Sequence, residues 1–148
     1  MDKLDAGLSE LRRSFAAHSK AAEIEKKSSS HFLLLFYAVE CGMKACILQD
    51  SGKLKLSQID DDFGKEKKKE EGIYTHDLSK LQKKLGSCFF PPTLNPNFHL
   101  RRDKDETITI TKVHQAWRYG VQIREDDENR IIEWLKEVQK KIRLRIGG

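Results

Sequence analysis

The chain has 148 residues, of which 38% are hydrophobic and 34% are charged, and this balance predicts one soluble globular domain, residues 1–148, with a single core. Its formal net charge of +5 favours an anionic partner, because clustered Lys and Arg side chains attract phosphates. The cysteines are odd in number and two of the three lie in an apolar segment, so we predict no disulfide framework, metal site or cofactor.

Two helices are predicted in the first third of the chain. Apolar side chains recur every three to four residues from Asp2 to about Lys27, which indicates an amphipathic helix. Three serines, residues 28–30, then break the pattern and offer a hydroxyl that can cap a second helix. That helix is predicted to end at Gly52, a residue suited to a left-handed cap. The two helices are expected to form a hairpin.

The second helix contains the most informative segment, HFLLLFYAVECGMKACILQ, which is apolar almost all round. This pattern is typical of the central helix of a bundle. Glu40 and Lys44 interrupt it, four residues apart with the acid first, and we interpret them as a buried structural ion pair linked to Arg118 across the bundle. Two charges argue against a membrane span, and the N-terminus lacks the features of a secretory signal, so we expect a cytoplasmic protein with no membrane partner.

A polar, charged stretch, residues 53–74, follows and is expected to be mobile. Thr75 or Asp77 is predicted to cap a third helix of about three turns, in which leucines recur at helical spacing until Gly86. All three prolines of the chain come next, in a predicted loop. Some apolar side chains of this loop are expected to cover one end of the bundle; they are Phe89, Phe90, Leu94 and Phe98.

Residues 107–113 alternate β-branched and Thr side chains, which predicts a short strand, although the same segment can begin a helix that continues through His114 and Trp117. After Tyr119 and Gly120 a last helix is predicted, capped by Asp126 or Asp127. The predicted fold is therefore all-α: a four-helix bundle with long charged and proline-containing connections and at most one short β segment.

Four polar motifs fall in a specific order along these helices: AVECGMKACIL, THDLSKL, WRYG and EWLKEV. This order resembles the HEPN superfamily, whose small prokaryotic members pair Glu and Lys on the second helix, open the third with His-Asp-Leu, and carry Arg-Tyr before the fourth. The corresponding residues are Glu40 and Lys44, His76 and Asp77, and Arg118 and Tyr119. The resemblance runs from about His18 to Ile142.

The resemblance implies an all-helical, often dimeric domain. Many members are metal-independent ribonucleases of toxin–antitoxin and phage-defence systems, and others bind nucleotides, RNA or a partner protein such as a nucleotidyltransferase or defence subunit. The nuclease members carry Arg, four to six residues, then His near the last helix, whereas no histidine follows Arg118 here. The resemblance thus implies an RNA- or nucleotide-binding, partner-dependent component without the usual nuclease motif, as a homodimer or with a protein partner.

Two further functions stay open. Arg13 and His18 match the nuclease spacing, but on the first helix; His can act as general base on a ribose hydroxyl while Arg stabilises the phosphorane, which would make the chain a metal-independent ribonuclease. The structural alternative is an exposed Arg and a partly packed His. The other function is a purely structural interaction subunit that docks a partner through Phe89, Phe90 and Phe98.

The binding residues predicted from the sequence are led by Arg118 and Tyr119, because Arg and an aromatic ring at a turn can hold a phosphate and stack on a base. Packing between helices is the alternative for this pair. His76 is either a ligand-binding group or a structural neighbour of a capping Asp77. Basic residues after His99 suit single-stranded nucleic acid. The full set is Arg118, Tyr119, His76, Lys44, Arg101 and Arg102.

Overall fold

The computed structural model describes residues 6–22, 28–52, 77–86, 97–103 and 105–146. Within these residues it contains five helices and a two-stranded sheet, which confirms the predicted all-α fold with a short β segment. The helices are α1 (Leu8–Ala22), α2 (Ser29–Ser51), α3 (Leu78–Leu85), α4 (Ile110–Tyr119) and α5 (Glu125–Ile146), and the strands are β1 (Phe98–His99) and β2 (Thr107–Ile108). The charged stretch 53–74 and the proline loop lie outside the described residues.

The strand predicted over residues 107–113 ends at Ile108, and α4 takes up the rest. Val113, Ala116 and Trp117 are buried on one face of α4, at the spacing of a helix. The burial of this face decides between the two structures that the sequence left open, because packing outweighs the β propensity of single residues. Helix α4 is also tied to α5, since Trp117 Nε1 donates to Glu128 Oε2 at 2.9 Å.

Helix α2 is the centre of the bundle and packs against the other four helices. Between Leu35 and Leu48 every residue except Tyr37 and Cys41 is buried. Among the described residues, α2 is the one helix long and apolar enough to cross a membrane by composition, but 67% of its most apolar window is buried inside the protein. That burial is typical of a core helix.

The ends of α2 are fixed as the sequence predicts. Ser28 Oγ accepts a hydrogen bond from the backbone N–H of His31 at 3.4 Å, and the same hydroxyl lies 2.7 Å from His31 Nδ1. At the other end Gly52 has φ +70°, a left-handed conformation that costs little for a residue without a Cβ atom.

Replacing Ser28 by Ala is expected to lower the free energy of unfolding by about 1 kcal/mol, because the backbone N–H groups of the first turn lose their acceptor. Urea denaturation followed by circular dichroism measures the loss. Ser30→Ala is the matched control, since Ser30 is exposed within the first turn of α2 and Ala is a better helix former. Equal losses for both variants would contradict the capping role.

The hairpin of α1 and α2 is completed by α5. Gly42 lies where the three helices meet: a Cβ atom on it would be 2.7 Å from Ile142 Cγ2 and 2.8 Å from Phe15 Cδ1. The last turn of α5 is held by both helices, since Arg12 donates to the carbonyl of Ile146 at 2.6 Å and Arg145 forms an ion pair with Asp50. Gly42 thus permits the close approach of the three helices, and polar contacts hold the last turn of α5 in place.

Three short extended segments lie next to α4 and α5: β1, β2 just before α4, and residues 122–124 between the two helices. Strand β1 pairs antiparallel with β2, and Leu100 forms a further bridge with Ile123, so β1 runs between β2 and residues 122–124. Phe98 is 0% exposed, so it belongs to the core and cannot dock a subunit from this position. Phe89 and Phe90, predicted with it, lie outside the described residues.

Helix α5 begins at Glu125, so both predicted caps, Asp126 and Asp127, lie inside its first turn. Its first hydrogen bond runs from the N–H of Glu128 to the carbonyl of Arg124 at 2.8 Å. Asp127 does not cap the helix, because its carboxylate accepts hydrogen bonds from His99 instead.

Candidate functional site

The acid and base of α2 lie side by side in the core. Lys44 Nζ is 3.0 Å from Glu40 Oε2, and each residue is 6% exposed. Lys44 was predicted both as part of a structural pair and as a nucleic-acid ligand. At this burial its ammonium group is out of reach of a macromolecular ligand, so its role here is the ion pair.

Arg118 lies in the last turn of α4, exposed, and donates a hydrogen bond to Tyr37 Oη at 2.6 Å. This contact with Tyr37 takes the place of the link to Glu40 and Lys44 that the sequence predicts. Tyr37 lies nearly one turn before Glu40 on α2 and is partly exposed, whereas Glu40 is buried. The exposed Arg118 therefore reaches the tyrosine. Hydrogen bonds with Tyr37 and then Tyr119 raise the pKa of Arg118 above its ordinary value, so the guanidinium is a permanent charge.

His18 approaches the same tyrosine from α1. The centroid of its ring is 6.3 Å from that of Tyr37, and the two planes are inclined by 54°. Tyr119 follows Arg118 and is 72% exposed. His18, Tyr37, Arg118 and Tyr119, supplied by α1, α2 and α4, therefore form one surface group, which we call the Tyr37 cluster.

In the sequence, His18 and Arg118 belong to separate hypotheses, and no motif singles out Tyr37. One signal was available: a tyrosine hydroxyl inside an otherwise apolar helix needs a polar partner or an opening to solvent. Which helix would supply the partner depends on the rotation of α2, and no local pattern in the sequence reports that rotation.

Arg13 does not join His18. Both lie on α1, but five residues along a helix place them about 140° apart around its axis. Arg13 is exposed, whereas His18 is half-buried against Tyr37. The pair predicted as a catalytic site from its spacing is therefore separated by the helix itself.

The remaining predicted ligands lie elsewhere or outside the described residues. Arg102 is held by Glu106 through two hydrogen bonds of 3.0 and 2.8 Å, and Arg101 Nε donates to the carbonyl of Ile123 at 3.2 Å. His76 lies outside the described residues. Its neighbour Asp77 caps α3, since its Oδ1 accepts from the N–H of Ser79 at 3.0 Å.

No group of three or more His, Cys, Asp or Glu side chains that could hold a metal ion is present in the part of the chain that the structure describes. Two cysteines lie there, and neither favours thiolate chemistry. Burial raises the pKa of Cys41 to about 11 and that of Cys46 to about 12. Both stay protonated at neutral pH, so neither is an activated nucleophile.

The Tyr37 cluster offers a guanidinium, two phenol rings and an imidazole on one surface. A guanidinium forms paired hydrogen bonds with phosphate oxygens, and an exposed aromatic ring can stack on a base. Imidazole can move a proton near neutral pH.

In comparisons with known proteins, no family model matches the sequence and no curated protein or solved structure is significantly similar to it.

Proposed function

We propose that the chain is a HEPN-like domain that binds single-stranded RNA or a nucleotide through the Tyr37 cluster. It would act in the cytoplasm as a partner-dependent component of a bacterial defence or toxin–antitoxin system, as a homodimer or with a second protein. The observation that carries the proposal is that Arg118 and His18 both contact Tyr37, with the exposed Tyr119 beside Arg118. The order of the HEPN-like motifs in the sequence supports the family.

The cluster is built in a way that suits a phosphate-bearing ligand. Tyr37 accepts a hydrogen bond from one terminal nitrogen of Arg118 at 2.6 Å, which holds the guanidinium in place without neutralising it. The ring of Tyr119 is the largest aromatic surface left in water among the described residues, at 72% exposure. A base stacked on this ring would place its backbone phosphate beside a fixed positive charge.

Replacing Arg118 by Ala is expected to lower the affinity for a single-stranded RNA oligonucleotide by roughly ten- to a hundredfold, as for the loss of a hydrogen bond to a charged group. Fluorescence anisotropy at several salt concentrations measures it. The slope of log affinity against log salt concentration should also become shallower by about one, because one phosphate contact is lost. Tyr119→Ala should weaken binding about tenfold at every salt concentration.

Arg13→Ala is the matched control for charge. Arg13 is exposed on α1, on a side of that helix that does not face the cluster. This variant should bind RNA as the unchanged protein does, apart from a small effect of net charge. Equal affinities for the Arg118 and Arg13 variants, or no RNA binding by the unchanged protein, would refute the proposed function.

A second function, metal-independent RNA cleavage, is favoured by one observation. The imidazole of His18 packs beside the tyrosine that holds Arg118, so a general base and a phosphate-binding group share one surface. A denaturing gel of RNA incubated with the protein in chelator tests it. Cleavage that disappears in His18→Ala would establish this activity, and intact RNA in both lanes would leave binding alone.

A further inference from the structure

The guanidinium of Arg118 lies between two phenol hydroxyls that come from different helices. One of its terminal nitrogens donates to Tyr37 Oη on α2 at 2.6 Å, and the guanidinium also forms a hydrogen bond with Tyr119, the next residue of α4. A guanidinium has five N–H donors, so these two bonds leave donors for a ligand. The positive charge of the Tyr37 cluster is therefore held between two aromatic side chains.

The hydroxyl of Tyr37 has a donor of its own left for a ligand. Its oxygen accepts the hydrogen bond from Arg118, and its proton is donated to no acceptor among the residues that the structure describes. A phenol both accepts and donates hydrogen bonds. A phosphate beside Arg118 can thus receive one hydrogen bond from the guanidinium and a second one from the Tyr37 hydroxyl.

The ring of Tyr37 belongs to an opening in the cover of α2. Leu33, Tyr37 and Cys41 are half-buried, whereas all other residues in the range 35–48 are buried. The three follow one another at intervals of four residues, so they lie along one side of the helix over about 12 Å. We call these three residues the α2 strip. His18 of α1 borders the strip, because its ring packs beside that of Tyr37.

A second apolar surface lies on the α4 side of Arg118. The side chain of Tyr119 is 72% exposed, and α4 ends directly after it, since Gly120 has a left-handed backbone with φ +74°. An exposed aromatic ring of this kind is a platform on which a base can stack. Tyr119 and the α2 strip are thus two separate apolar surfaces, and Arg118 is hydrogen-bonded to a residue of each.

We propose that the Tyr37 cluster takes an RNA strand of at least two nucleotides rather than a mononucleotide. One base stacks on Tyr119, the phosphodiester binds Arg118 and Tyr37, and the next base covers the α2 strip. This inference rests on the proposed function and narrows its ligand to one class. In a strand, each internal phosphate lies between two nucleosides, which matches the order of aromatic ring, cation and apolar strip on the protein. A mononucleotide can cover only one of the two apolar surfaces.

The length of the ligand is tested with the dinucleotide adenylyl-3′,5′-adenosine. It should bind about tenfold more tightly than adenosine 3′- or 5′-monophosphate, as for one additional stacked base, although the monophosphates carry more negative charge. Isothermal titration calorimetry of the full chain measures these affinities. Tyr119→Ala should lower the affinity for the dinucleotide about tenfold and change that for the monophosphates less, because the α2 strip is still there to hold their base.

The α2 strip is tested by labelling thiols with N-ethylmaleimide. Cys41 is half-buried and Cys46 is buried, and trypsin separates the two by cleaving after Lys44, so mass spectrometry follows each thiol in the unchanged protein. At ten times its dissociation constant, the dinucleotide should slow the labelling of Cys41 about tenfold, because only about a tenth of the protein is then free. Labelling of Cys46 should not change. In Arg118→Ala the same dinucleotide concentration should give little protection.

The results distinguish this inference from the proposed function. Tighter binding of the dinucleotide together with protection of Cys41 would support both. RNA binding that depends on Arg118, with equal affinities for the dinucleotide and the monophosphates, would refute only the two-nucleotide site. Unchanged labelling of Cys41 in the bound protein would also refute only that site, whether or not the variants fold. No binding of RNA or nucleotides by the unchanged protein would refute the proposed function and this inference with it.

Discussion

Replacing Lys44 by Met lowers the free energy of unfolding by about 3 to 5 kcal/mol, the expected cost of breaking a buried ion pair. Both Lys44 and Glu40 are 6% exposed, with 3.0 Å between the ammonium nitrogen and the carboxylate oxygen. Met fills nearly the same volume, so the loss comes from the carboxylate left in the core without its ammonium partner. Urea denaturation followed by circular dichroism measures it as a lower midpoint with an unchanged slope.

Lys136→Met is the matched control, because Lys136 is exposed on α5 and such changes stay within about 0.5 kcal/mol. The double variant Glu40→Gln with Lys44→Met should recover part of the stability, since neither position of the pair then carries a charge. If Lys44→Met costs no more than Lys136→Met, the ion pair contributes nothing to stability. If the double variant is less stable than Lys44→Met, Glu40 stabilises the protein through a contact other than that with Lys44.

Replacing Gly42 by Ala should destabilise the protein by about 1 to 3 kcal/mol, the usual range for an overpacked core. The direction is informative, because Ala in place of Gly inside a helix normally stabilises by about 1 kcal/mol. Here the added Cβ atom would lie 2.7 Å from Ile142 Cγ2 and 2.8 Å from Phe15 Cδ1. Thermal or urea denaturation measures the change, and Gly42→Leu should cost more than Gly42→Ala.

Ala17→Leu is the control for added bulk, since Ala17 is exposed on α1 and a larger side chain there meets only solvent. A double-mutant cycle locates the clash: Ile142→Ala removes two of the three close atoms, so its cost and that of Gly42→Ala should be less than additive. Additive costs would mean that the bundle relaxes without involving Ile142. A stabilising Gly42→Ala would place the helices further apart than described.

Much of the fold is encoded locally and could be predicted. The apolar segment of α2 has too few polar residues for a surface helix, and Ser28 and Gly52 cap the two ends of α2. The segment from Thr107 to Tyr119 could not be decided, because β-branched alternation and helical spacing coexist there. Its structure depends on whether Val113 and Trp117 find a helix to cover, which is a tertiary property.

The candidate site was predictable only in part. Arg118 and Tyr119 stand next to a turn, and their placement at the surface follows from that position. Whether Tyr37 and His18 lie beside them depends on how α1 and α2 are rotated about their axes. Hydrophobic periodicity predicts that rotation only approximately. Elsewhere in the fold, Asp127 and His99 are far apart in the sequence and meet because Leu100 pairs with Ile123. A pairing of two such short segments leaves no recognisable pattern.

The meeting point of α1, α2 and α5 at Gly42 also sets an order of events during synthesis. The hairpin partner Phe15 leaves the ribosome before Gly42, but Ile142 follows roughly 100 residues later. At about 5 to 20 residues per second, the α5-facing side of α2 stays uncovered for about 5 to 20 s. Throughout that interval the nascent chain presents its most apolar helix without its last partner, which is when chaperones or a membrane surface would compete with α5 for it.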